Sequence, residues 1–366
     1  GRHQKRYRYP PLRIFSMSKY IKYVKPTEIA TAQGLTAQVY AQIKGEIGIV
    51  PEPFTLHSPV PEILAGTWGI FRETMLTGQV RRPIKEAVAA AVSESNRCPW
   101  CVDAHSIVLY AAGESEAARA IIDNATQHLK DSQMQAMIQW ASATRTSGAP
   151  VLARPPFSSQ EAAELVGAAI TFHYLNRMVN VLLVETNLPR NALLKSAMKR
   201  TLGWLYSGVT HKVYQPGASL DFLPDAPLPA DLVWAASAPN VAGAFSRFAA
   251  VVEQAGIVVL SPVVRSLICK HVNAWQGEDM GISRQWVDRA IDELSAKDQA
   301  AARTTLLTAL APHQVDAGVI EAFRIHWPTD NELVSALAWA SFTVARRIGS
   351  WLHRPATSQR SRYCDI

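Results

Sequence analysis

The sequence predicts an all-α fold. Apolar residues recur at helical spacing in segment after segment, strand-like alternation is rare, and proline and glycine clusters separate the periodic runs. With 48% hydrophobic and 18% charged residues over 366 positions, the chain has enough apolar material for a packed core and too little charge for a disordered one. From Pro83 the residues Ile84, Ala87, Val88, Ala91 and Val92 keep one face apolar, and Pro83 suits a first helical turn. Similar periods predict helices over Met134–Ala143, Ala162–Val184, Asn191–Tyr206, Val241–Ala255, Val263–Val272 and Leu333–Leu352. The breaks fall at Gly148-Ala149-Pro150, at Arg154-Pro155-Pro156 and along Pro216 to Pro229.

That last stretch divides the chain. We expect a tail over 1–25, a first domain over 26–212, a linker over 213–229, a second domain over 230–354 and a C-terminal tail over 355–366. Two marks relate the halves: Gly78-x4-Pro83 before a helix recurs as Gly256-x5-Pro262, and Glu164-Leu165-Val166 recurs as Glu332-Leu333-Val334. The offsets of 178, 179 and 168 residues make the second copy about ten residues shorter. A tandem duplication packed as a pseudo-dimer follows as the expectation.

The net charge of +7 is no property of the body. Arg2, Lys5, Arg6, Arg8, Arg13, Lys19, Lys22 and Lys25 precede the first acid, Glu28, so the tail holds +8 and the remainder −1. With Met17 inside it, this tail reads as sequence ahead of the natural start, and no specific nucleic-acid partner is expected. No run reaches eighteen uninterrupted apolar residues, and no apolar segment with a small-residue cleavage site follows the basic start. A soluble, cytoplasmic protein without a membrane partner is the expectation. Four cysteines make no disulfide scaffold, so a pair among them is expected to be reactive.

The sharpest local signal is Glu86-x11-Cys98-Pro99-Trp100-Cys101-x3-His105. At a helix start, C-x-x-C sets two sulfurs one turn apart, and the helix N-terminus stabilises a thiolate. His105, four residues after Cys101, shares its helical face, and Glu86 on the preceding helix can orient the imidazole. Such a relay makes Cys101 a nucleophile and Cys98 the thiol that closes the disulfide. Other readings of the motif fare worse. Zinc would need more ligands than Cys269 and Cys364 supply in pattern, c-type haem would need His where Val102 stands, and a thioredoxin fold would need a strand before the motif. Cys269 reads as a small buried residue and Cys364 as an exposed tail thiol. His173, on an apolar helix, reads as a satisfied core histidine.

The stretch from Lys85 to Ser93, followed by Cys98-Pro99-Trp100-Cys101-Val102-Asp103-Ala104-His105, resembles the AhpD-like alkylhydroperoxidase family of the carboxymuconolactone decarboxylase superfamily. The similarity is carried by residues 45–115 and extends to about 212. It implies an all-helical fold and dithiol-dependent reduction of hydroperoxides, with Cys101 peroxidatic, Cys98 resolving, and Glu86 and His105 relaying protons. Family members often have a further histidine inside the cysteine pair, where this chain has Trp100. No resident cofactor or metal is implied. The expected partners are a peroxide, a dithiol or thiol-protein reductant, and further copies of the chain in a homo-oligomer. An offset of 179 sends the four site positions to Arg265, Gly277, Met280 and Arg284, so the second half is expected to be redox-silent. Two alternatives remain: a lactone decarboxylase using His105 and Glu86 without sulfur chemistry, and a non-enzymatic redox sensor or scaffold.

Overall fold

Prolines set the starts of many helices, because a residue with φ fixed near −65° and no N–H costs nothing in a first turn. The computed structural model describes residues 20–184, 212 and 214–352. Its helices are α1 Gly34–Ile47, α2 Glu52–Thr55, α3 Pro61–Met75, α4 Arg82–Ser95, α5 Pro99–Ala111, α6 Ser115–Ile122, α7 Ser132–Ala143, α8 Ala162–Leu182, α9 Pro239–Val259, α10 Pro262–Ala274, α11 Gln285–Ile291, α12 Ala296–Leu310, α13 Ala317–Arg324 and α14 Asp330–Leu352. Proline opens α3, α9 and α10 and stands in the first turn of α4 and α5. Asp131, Ser261, Ser295 and Asp316 cap α7, α10, α12 and α13 by accepting amide hydrogens. Among the described residues an isolated bridge between Ile21 and Leu183 is the one β feature, so the fold is all-α.

The predicted periods correspond to α4, α7, α8, α9, α10 and α14, with ends that coincide or shift by up to four residues. The helix expected over Asn191–Tyr206, the tail through residue 19, and Cys364 lie outside the described residues. Helices α8 and α14 are buried along almost their whole length and run side by side. Around them α3 lies along α9, and α4 packs between α5, α7 and α8. By length and composition α9 is apolar enough to cross a membrane. Here its Val241, Phe245, Phe248 and Val252 are buried, and it packs on α3 and α14.

The stretch expected to link the halves is strapped down. Glu73, fully buried on α3, accepts hydrogen bonds from Gly217 N at 2.8 Å, Ser219 Oγ at 2.8 Å and Asn240 Nδ2 at 2.9 Å, and pairs with Arg72 Nη1 at 2.7 Å. A buried carboxylate is tolerable when its lone pairs are filled in this way. One side chain therefore joins α3, the linker and the first turn of α9. The two glycines of the repeated Gly-Pro mark do different work. Gly78 sits in a turn at φ 93°, whereas Gly256 lies inside α9, where a Cβ would come within 2.1 Å of Trp339.

Candidate active site

The site begins at the turn before α4. A Cβ on Gly78 would fall 2.3 Å from the Glu164 carboxyl carbon, so only glycine lets that carboxylate approach. Glu164, from α8, accepts the amides of Gln79 at 2.7 Å and Val80 at 3.2 Å and pairs with Lys85 Nζ at 2.5 Å. Burial pushes the Lys85 ammonium below its ordinary pKa, and Glu164 works against that shift. These contacts tie the start of α4 and the turn before it to α8.

One turn into α4, Glu86 is fully buried between Arg82 and His105. Arg82, one turn earlier, donates Nε to Oε1 at 2.5 Å, and His105 Nδ1 lies 2.6 Å from Oε2. Burial alone would raise the Glu86 pKa, but the charge of Arg82 and then that of His105, with their hydrogen bonds, hold it down to about 2. The carboxylate is therefore ionised across the physiological range. The Glu86 carboxylate can only accept, so Nδ1 carries the proton of this bond and Nε2 is the ring nitrogen left for proton transfer. The edge of the pair is closed by Phe172 of α8, T-shaped against the imidazole at 4.5 Å between centroids.

Cys98 is the N-cap of α5 and Cys101 lies in its first turn, with Cα atoms 5.4 Å apart and the sulfurs joined as a disulfide. Both are buried, at 0% and 3% exposure, and the Trp100 between them is partly buried. The Cys98 amide donates to Ser93 O at 2.9 Å, which ties the α5 start to the α4 end. Below it runs a polar array. Asn96 donates to Asn176 Oδ1 at 3.0 Å and lies 3.0 Å from His173 Nδ1, and Asn176 donates to Ser93 Oγ at 2.9 Å. Asn96 Nδ2 carries the hydrogens, so the His173 proton sits on Nε2, facing Thr144 Oγ1 at 2.8 Å. His173 is thus saturated within the core, as expected of a core histidine. Burial, then the charges of Arg177 and Arg145, keep its pKa well below the ordinary histidine value.

The four predicted residues are thereby gathered onto α4 and the first two turns of α5. Sequence reasoning missed Arg82, Phe172 and the Asn96–Asn176 array. Arg82 was detectable as the cation four residues before Glu86; the asparagines, 80 residues apart, carried no pattern. The expected offset of 179 residues leads from Glu86 to Arg265 on α10, whose Nη1 is 3.7 Å from Glu253, and from Cys98 to Gly277 at φ 106°. Cys269 is buried on α10, as expected, yet is disulfide-bonded and no free thiol. The described residues include no cluster of His, Cys, Asp or Glu arranged to hold a metal.

No family profile matches the chain. A curated alkyl hydroperoxide reductase of Mycobacterium tuberculosis is 40% identical to it over 344 residues, which span 94% of this chain and 98% of that protein. At that identity and coverage the chain belongs to the alkyl hydroperoxide reductase family of AhpD-like proteins.

Proposed function

We propose that this member of the family is a thiol-dependent peroxidase that reduces organic hydroperoxides or hydrogen peroxide through Cys98 and Cys101. The observation that supports it most is the Glu86–His105 pair, closed at 2.6 Å one turn beyond Cys101 on the helix that Cys98 starts. In the reduced enzyme His105 takes the Cys101 thiol proton, and Glu86 stabilises the imidazolium that results. The Cys101 thiolate attacks the terminal peroxide oxygen, the O–O bond breaks, and the alkoxide leaves as alcohol with the proton from His105. Cys101 is now a sulfenic acid. The Cys98 thiol displaces its hydroxyl as water and closes the disulfide. An external dithiol or thiol protein, such as a reducing cytoplasm supplies, returns two electrons and two protons by exchange. No resident cofactor takes part.

We further read the chain as two related halves in a pseudo-dimer. Helices that correspond in chain order lie together, α3 along α9 and α8 along α14, as a self-complementary contact between copies requires. The half from residue 230 onward then serves packing, which tolerates Arg265, Gly277, Met280 and Arg284. Exposed Ile257, Val258 and Val263 at the α9–α10 corner offer a surface for association of such chains.

A peroxide assay with dithiothreitol as reductant tests the reading. Many turnovers per chain, lost in Cys101→Ser, are expected. One stoichiometric oxidation without cycling indicates a sensor, and lactone decarboxylation that survives Cys101→Ser indicates a decarboxylase.

A further inference from the structure

Buried arginines in folded proteins are paired with carboxylates, because an uncompensated guanidinium forfeits its hydration. Arg177 departs from this. It lies on α8 at 4% exposure, and its Nε and Nη1 donate to the backbone carbonyls of Ala309 at 2.7 Å and His173 at 2.6 Å. No carboxylate pairs with it among the described residues. Arg145, half-buried beyond α7, likewise has no ion pair there, and its Nη1 reaches only Ser95 O at 3.3 Å. Both guanidinium carbons lie over the ring of buried Trp275, at 5.8 and 6.0 Å from its centroid. The two cations are close enough that Arg145 lowers the Arg177 pKa further, after burial, to about 9.

The two arginines line a cavity of about 20 Å³ between the halves, together with Arg97, Asp279, Leu310 and His313. Its acids are few. Asp279 is already paired with Arg97 at 2.6 Å and is 40% exposed in its side chain. Glu278, the other acid acting on Arg145, turns its Oε2 to the Gln276 amide at 2.8 Å. Exposed His313 adds no negative charge. The wall thus holds two buried or half-buried cations without a matching anion. A cavity this size takes one particle near the size of water.

We propose that this cavity is a binding site for a small inorganic anion, chloride by size, held by Arg145 and Arg177. An anion there supplies the charge that the fold leaves out and joins elements of both halves directly behind Arg97, the residue before Cys98. It is separate from the dithiol, and its test reads binding instead of turnover.

Chlorine NMR on the full-length protein at constant ionic strength reads the exchange broadening that bound chloride adds. Saturable broadening is expected in the wild type, weakened at least tenfold in affinity by Arg145→Gln and retained in Arg119→Gln, an exposed arginine on α6. Arg145 is half-buried, so its variant avoids the folding risk of Arg177→Gln, and a chloride-dependent rise in Tm that disappears in Arg145→Gln gives a second readout. Inorganic phosphate is the competitor: loss of the chloride signal on its addition shows an oxyanion entering the same site. Equal broadening in wild type and Arg145→Gln, or equal loss in Arg119→Gln, overturns the proposal.

Discussion

Helices α4 and α10 are built alike. Each has a proline in its first turn, and each packs against a long buried helix whose first turn carries Glu-Leu-Val. From α4 the chain goes on to a second short helix with two cysteines and a histidine, and Glu86 finds an imidazole. From α10 it passes through Gln276 and Gly277 instead, and Arg265 faces Glu253 across 3.7 Å with its Nε lacking a hydrogen-bond partner. The opening glutamates diverge too: Glu164 is buried against the 78–80 turn, while Glu332 folds back on Thr329 N and Oγ1 as a helix cap. The comparison teaches that α8 and α14 are both buried along their length, although the polar contacts around Glu86 have no counterpart around Arg265 among the described residues.

The largest expected effect breaks the comparison at the thiols. Cys101→Ser should abolish peroxide turnover, whereas Cys98→Ser should allow one oxidation trapped at Cys101, read by mass spectrometry of the peroxide-treated variants. Thiol counting with and without dithiothreitol should show two thiols released at this pair; oxidation trapped at Cys98 instead would reverse the roles. Next comes removal of the second half. A fragment of residues 17–215 retains Glu86, Cys98, Cys101 and His105 but exposes the faces of α3 and α8 that α9 and α14 cover, so light scattering should find it aggregated or self-associated and poorly active.

Glu86→Gln should lower turnover about 100-fold, in the range of a lost acid–base partner, with the effect in kcat over KM. Arg265→Gln should leave turnover unchanged. The same substitution of Glu86 sharpens the pH comparison. A carboxylate held down to about 2 stabilises the fold above its unfolded pKa, and that stability is lost as pH falls from about 4.5 toward 2. At about 1.4 kcal/mol per unit the whole effect is about 3 kcal/mol, of which about 2 kcal/mol falls between pH 6 and pH 3, so urea titrations at those two values should show a drop larger by about that amount in wild type than in Glu86→Gln. The smallest effect is at Gly277, where φ is 106° and a Cβ would meet Arg145 O at 2.2 Å. Gly277→Ala should cost about 1–3 kcal/mol in thermal unfolding while leaving the Cys98–Cys101 chemistry intact.

Much of this was legible in the sequence for physical reasons. Helical period reports which face a segment buries, and α8 and α14 bury nearly everything, so their runs stood out. The C-x-x-C and the histidine one turn on lie within eight residues, where helix geometry alone decides proximity. What stayed hidden depended on long-range closure. Nothing near Asn96 announces Asn176, and nothing near Glu164 announces Lys85. The Gly-Pro mark was legible, but not that its two glycines serve different ends, Gly78 a positive φ and Gly256 space beside Trp339.

The buried carboxylate of Glu73 bears on the order in which the protein is made. Its partners Gly217, Ser219 and Asn240 follow it by 144 to 167 residues. At about 5–20 residues per second, the ribosome takes roughly 7–30 s to deliver them after Glu73 itself. For that interval Glu73 has Arg72 but neither the donors of residues 217, 219 and 240 nor α9 beside it, and the nascent chain presents an apolar helix face with a charge at its centre. The segment that holds the Cys98–Cys101 pair thus leaves the ribosome before the residues that complete its buried Glu73 site.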